Sequence, residues 1–152
     1  MSQLILLTKY PTPWEVKTRL WKEIGMEQSA YVQRRCIEKL LKDHGSSQEY
    51  DLHILLRQSD KLDQFCEEFR VDHNRVWVQQ GDSLWEIIAN AFEVWFDAGH
   101  QEVVVIGSDT PLISAPVMCM LFSPLREQGL HCTLWAVEDG WYYGIGANDV
   151  AI

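Results

Sequence analysis

A chain of 152 residues with 47% hydrophobic and 23% charged side chains is long enough for one domain with a real core, and too apolar for disorder. Its net charge of −9 sets the surface as a whole against nucleic acid and anionic membrane, and no apolar run approaches the ~20 residues of a membrane span. That charge is uneven: residues 1–22 carry Lys9, Lys17, Arg19 and Lys22 against Glu15 alone, a balance of +3, and the rest of the chain carries −12.

The first predicted element is a strand, Leu4–Thr8, whose apolar run is too short for a signal-peptide core. A helical region is expected from Val16, interrupted near Gly25 and resuming to Asp43 with Ala30, Ile37, Leu40 and Leu41 inward and Gly45 as its stop. Leu52–Leu56 reads as a second strand, Ser59–Phe69 as a helix and Val76–Gln79 as a short strand. The clearest helix begins at Ser83, where Leu84, Ile87, Ile88, Ala91, Phe92 and Trp95 form one stripe and Ser83 with Glu86 form a capping box. Glu102–Ile106 has the continuous β-branched character of a strand covered on both faces. Ser114 is expected to cap a further helix that Pro124 breaks or restarts. Thr133–Val137 and Tyr142–Ile145 are two late strands around Glu138–Trp141. Apolar strands alternating with helices predict a three-layer α/β/α sandwich with a mostly parallel central sheet, in a single domain over residues 1–152.

Three stretches can carry chemistry. In "KYPTPWEVKTRL", Lys9 to Leu20, Pro11 and Pro13 stiffen a loop leaving a strand, and Lys17 and Arg19 offer a point charge and a planar fork. Thr18 and the N–H groups of a helix start would add donors. The stretch fits either a loop for an anion or a rigid turn with a solvated helix start. In "VVVIGSDTP", Val103 to Pro111, a buried strand delivers Ser108 and Asp109 to the same sheet edge, where Asp109 fits an Mg²⁺ ligand or a plain turn residue. "VEDGWYYGIG", Val137 to Gly146, is a hairpin signal at Asp139-Gly140 with tyrosines that can also line a pocket. The five histidines show no ligand spacing. Cys36, Cys66, Cys119 and Cys132 lack C-x-x-C spacing and fit reduced thiols, which makes the cytoplasm the expected compartment.

In order along the chain, these stretches resemble the selenodomain-associated transferase type one family, of glycosyltransferase-A-like, nucleotide-diphospho-sugar transferase fold. The matches are Lys9, Pro11, Pro13, Lys17, Thr18, Arg19 and Leu20, then Gly107, Ser108, Asp109 and Pro111, then Asp139, Gly140, Tyr142 and Tyr143. The resemblance implies a metal-dependent nucleotide-sugar or nucleotidyl transferase. Lys9, Lys17, Thr18, Arg19 and Ser108 would hold the nucleotide, Asp109 a divalent Mg²⁺ or Mn²⁺, and Asp109 and Asp139 the chemistry, with no organic cofactor. A guanylyltransferase acting on a phosphorylated small acid is a further variant. Trp14 and Trp141 stand where the family has glycine, and Trp85 makes a third such replacement. With Gly140 and Tyr142 they are expected to line and narrow the cleft, reducing or altering activity. The chain also ends soon after the last match, where members of the family continue. The alternative is a non-catalytic interaction or oligomerisation module using Trp14, Trp85 and Trp141, with a homodimer as its expected form.

Overall fold

The computed structural model describes residues 1–17, 20–136 and 142–149, and of Ala136, Tyr142 and Tyr143 the backbone alone. Six strands form one sheet: β1 Ser2–Thr8, β2 Tyr50–Leu56, β3 Val76–Val78, β4 Val103–Gly107, β5 Cys132–Ala136 and β6 Tyr142–Ala147. Their order is β3-β2-β1-β4-β6-β5, with β1 to β4 mutually parallel and β6 antiparallel to both β4 and β5. All seven residues of β1 are buried, as a strand at the centre of a doubly covered sheet requires. The antiparallel pairing of β5 with β6 suits a hairpin, although Glu138–Trp141 lies outside the described residues.

Alternation along the strands splits the core in two. Leu4, Leu6, Ile54, Val104 and Ile106 face three helices: α2 (Met26–His44), α3 (Leu62–Phe69) and α5 (Ala115–Phe122). From these, Ile37, Leu40, Phe65, Met118 and Phe122 pack down on the sheet. Ile5, Leu7, Leu55, Val103 and Val105 face α4 (Leu84–Asp97), which contributes Ile87, Ala91 and Trp95. Each such aliphatic side chain contributes about 1.5–3 kcal/mol of transfer free energy.

The caps follow sequence. Ser83 Oγ accepts from the Glu86 N–H at 3.2 Å, while the Glu86 carboxylate reaches the Asp82 N–H at 2.7 Å, one residue earlier than in the usual reciprocal box. Ser114 Oγ accepts from Val117 N–H, and the chain passes at Ser123 into a 3-10 turn containing Pro124. The expected helix from Val16 is corrected. Lys17 has φ 52°, which a right-handed helix cannot contain, and the short helix α1 begins only at Trp21 and ends at Ile24.

Two imidazoles are enclosed. His44 accepts from the Tyr50 hydroxyl at Nδ1 (2.5 Å) and donates from Nε2 to the Ile113 carbonyl (2.8 Å). His53, partly buried, packs 5.5 Å from the Trp95 ring, and among the described residues its buried Nδ1 has no hydrogen-bond partner. Burial pushes both rings below the ordinary histidine range, assisted at His53 by the Arg75 charge and opposed at His44 by its bond to Ile113. The unfolded chain therefore binds these protons more readily than the folded one. The stability of the neutral rings is complete above about pH 6.5 and is lost as pH falls through the folded values. Urea midpoints should hold between pH 8 and 7 and drop from pH 6.5 to 5.5, and His53→Leu should make that drop shallower.

Candidate functional site

From the C-terminal end of β1 the chain crosses toward β2 on one side, and the later crossover returns to β4 on the other. Such a switch point leaves a crevice beyond the two strand ends. Here it is a cleft of about 800 Å³. Register sets its floor. Thr8 lies opposite Leu56, and Leu56 opposite Val78, so the next residues, Lys9, Arg57 and Gln79, stand side by side. Leu7 opposite Gly107 carries Asp109 to the other flank of Lys9. The first turns of α4 supply an apolar wall of Leu84, Ile87 and Ile88. Gly81 makes the approach to that wall possible: its φ is +134°, and a Cβ there would stand 2.9 Å from Glu86 Cβ and from Ile87 N.

Three glutamines hold the strand ends. Gln33, 3% exposed on the inner face of α2, points its amide at Thr8 Oγ1 (3.1 Å), the Lys9 carbonyl (3.2 Å) and Ser108 Oγ (3.1 Å). It therefore ties β1 to β4. Gln79 donates to the carbonyls of Thr8 (3.1 Å) and Leu55 (2.9 Å), tying β3 to β1 and β2. Gln58 accepts from the Tyr10 N–H at 2.9 Å and donates to Glu15 at 2.8 Å, pinning the proline loop. The buried Tyr10 ring completes that anchor, donating to Glu68 at 2.6 Å and accepting from Gln64 at 2.9 Å. Burial first, and the bond to Glu68 second, push its phenol up, so it remains a donor.

The loop turns back over the sheet at Val16, which is 3% exposed and whose carbonyl accepts from Trp21 Nε1 at 3.1 Å. That places Lys17 in the left-handed region with its ammonium in an ion pair with the Asp109 carboxylate. The Lys17 side chain is 15% exposed and that of Asp109 76% exposed. Cys36 lies near this pair, but burial is the main influence and pushes its thiol up, so it stays a thiol. Among the described residues no group of three His, Cys, Asp or Glu side chains could hold a metal. Asp109 alone fits the mode in which Mg²⁺ takes one or two carboxylates, keeps waters and completes its shell with substrate phosphates.

Of the residues expected at the site, Lys9, Lys17, Ser108 and Asp109 come together on the cleft wall. Thr18, Arg19, Asp139, Gly140 and Trp141 lie outside the described residues, and Tyr142 is described by its backbone in β6. Trp14 and Trp85 are 64% and 60% exposed and do not form part of that wall. Trp14 sits in the turn after Pro13, and Trp85 lies one place off the buried stripe of α4. Sequence reasoning missed Gln33, a polar residue on a buried helix face, and Arg57 and Gln79, for which only strand register gives a signal.

The family model described as "Uncharacterized protein conserved in bacteria (DUF2064)" matches residues 40–152. A putative nucleotide-diphospho-sugar transferase from Desulfovibrio desulfuricans G20 superposes with a TM-score of 0.86 and 30% identity, over 97% of this chain and 64% of that one. The 4-diphosphocytidyl-2C-methyl-D-erythritol synthase of Anaerococcus prevotii DSM 20548 matches at TM-score 0.58 and 11% identity, over 99% of this chain and 71% of that one. A cytidylyltransferase from Leptospira borgpetersenii serovar Hardjo-bovis matches at 0.58 and 13%, over 99% and 61%. The last two likenesses are of the fold alone. The chain spans less than two thirds of the Desulfovibrio and Leptospira proteins. No curated protein matches it.

If Gln33 is the tie between β1 and β4, Gln33→Leu should lower stability by about 1–3 kcal/mol in urea titrations, through the hydroxyls and carbonyl it leaves underbonded. Hydrogen exchange should rise first at Ser108, whose N–H bonds the Leu7 carbonyl.

Proposed function

The chain belongs to the DUF2064 family, and we propose that it acts on that nucleotide-diphospho-sugar transferase-like fold as a metal-dependent nucleotidyl or glycosyl transferase. One observation carries the reading. At the β1/β4 switch point, a cation held in a strained turn meets a mostly exposed carboxylate at the end of a buried strand. Asp109 would hold Mg²⁺ or Mn²⁺ together with the phosphates of a nucleotide or nucleotide sugar. The ion would supply charge neutralisation on the leaving phosphate. Lys17, with Lys9 and Arg19, binds phosphate oxygens, and Ser108 is held by Gln33 at the same edge. Asp139 and Tyr142 border the second substrate, as the sequence resemblance implies. The same motifs favour the selenodomain-associated type one branch.

The apolar wall of Leu84, Ile87 and Ile88 gives the uncharged end of a nucleotide a dry surface beside the cationic floor. A thermal-shift panel of nucleoside triphosphates and nucleotide sugars with Mg²⁺ or Mn²⁺ tests the reading. Ligand at a hundredfold excess over Kd should raise the melting temperature by about 5 °C or more. The rise should vanish in Arg19→Ala and Asp109→Ala. Absence of any nucleotide response with every divalent ion would sink the proposal. Release of pyrophosphate or of a nucleoside diphosphate separates the nucleotidyl from the glycosyl version.

A second reading draws on the exposure of Trp14 and Trp85. Indoles in solvent suit a non-catalytic module that pairs with a second copy of the chain. It predicts a homodimer by light scattering that Trp14→Ala and Trp85→Ala weaken; a monomer at high concentration removes it.

A further inference from the structure

The cleft carries more positive charge than the Asp109 carboxylate answers. Among the described residues its wall holds three cations, Lys9, Lys17 and Arg57, against Asp109, in a chain whose net charge is −9. Lys17 is paired with Asp109. Lys9 and Arg57 are exposed, and among the described residues neither charged group has a hydrogen bond or an ion pair. Four other arginines do find carboxylates: Arg34 with Glu68, Arg35 with Glu38, Arg75 with Asp51 and Arg126 with Glu102. Among the described residues Arg57 and Arg70 have no carboxylate partner, and of the two it is Arg57 that stands at the cleft.

Its place is fixed by the backbone. The Arg57 N–H donates to the Thr8 carbonyl at 3.1 Å, so the residue continues the β1/β2 ladder one step beyond the strand. Register then sets it next to Lys9, about 5 Å away, and two strand spacings, about 10 Å, from Asp109. Gln79 follows on its other side, and Leu84 and Ile88 line the same cleft. Arg57 thus shares the cleft with both the carboxylate suited to a metal and the apolar wall.

Resting on the transferase reading above, we infer that Arg57 and Lys9 form a second anion subsite, separate from the pair of Lys17 and Asp109, that takes a phosphate group. The guanidinium fork binds two phosphate oxygens at once, which an ammonium cannot do, so Arg57 is the residue that fixes orientation. The phosphate belongs either to the nucleotide's own chain or to a phosphorylated second substrate.

Calorimetric titration separates this subsite from the metal-dependent one. Inorganic pyrophosphate is titrated in EDTA at low salt, and a nucleoside triphosphate is titrated with Mg²⁺. In EDTA the wild type should bind pyrophosphate, Arg57→Gln should bind it about tenfold more weakly, and Arg57→Lys should fall between them. Asp109→Asn should keep the EDTA binding and lose the metal-dependent increment. Since the exposed Arg57 side chain has no hydrogen bond or ion pair among the described residues, Arg57→Gln should melt with the wild type, which controls for folding. A parallel loss in the nucleotide titration assigns the subsite to the nucleotide's phosphates; a loss confined to pyrophosphate assigns it to the second substrate. Equal pyrophosphate binding by wild type and Arg57→Gln, or none by the wild type, overturns the inference and leaves the transferase reading standing. If no nucleotide binds with any metal while Arg57→Gln still loses pyrophosphate, the transferase reading fails and the subsite remains.

Discussion

The molecule turns on a single amide. Gln33 is buried on a helix face it shares with Ala30, Ile37 and Leu40, and it bonds the ends of two strands that the chain reaches a hundred residues apart. An unbonded amide in that position would cost about 1–3 kcal/mol. Its partners remove that cost and fix which way β1 and β4 part. Without the tie, the proline loop and the Gly107-Ser108-Asp109 turn would be two neighbouring surface loops. With it, Lys9, Ser108 and Asp109 share one edge. Gln79 repeats the device across β1, β2 and β3. Neutral amides suit this work, because they satisfy backbone carbonyls without adding a charge that would compete with a ligand's phosphates.

Charge is then distributed around that frame. The acidic body repels polyanions at long range, and salt screens that repulsion within about 10 Å. A short anion entering the cleft meets the local field of Lys9, Lys17 and Arg57, which the distant carboxylates little affect. On the proposed reading, the arrangement favours a compact phosphate ligand over nucleic acid. It also leaves the apolar wall of α4 as the natural place for whatever uncharged group the phosphate carries.

How much of this could be read from sequence follows from which signals are local. The strands announced themselves as short apolar runs, and α4 as a stripe with a cap, because burial on a sheet or a helix imposes a period. Trp85 lies one place off that stripe and is exposed, as the same period requires. The helix start at Val16 was misplaced because a positive φ at Lys17 leaves no mark on composition. Gln33 and Gln79 were invisible for a related reason: a polar residue on a buried face looks like a break in the pattern until its partners are known. Arg57 reads as an ordinary solvated arginine until register sets it beside Lys9. Lys9, Lys17, Ser108 and Asp109 could be placed at one sheet edge from their motifs, and the residues that hold or complete that edge could not.

The pair of Lys17 and Asp109 shows why the site is set and yet open. With Asp109 three-quarters in solvent, the ion pair is screened and contributes at most about 1 kcal/mol, while a non-glycine residue at φ 52° costs on the order of 1–3 kcal/mol. The pair therefore cannot be what holds the turn. That falls to groups away from the charges: buried Val16, the Trp21 indole on its carbonyl, and the Tyr10 anchor with Gln58. Because the strain is borne elsewhere, Lys17 and Asp109 can separate at little cost when a phosphate and a cation compete for them. A stronger, buried pair would have stabilised the loop directly and closed the cleft. The exposed one keeps both partners available, which is the property a phosphate site needs before its ligand arrives.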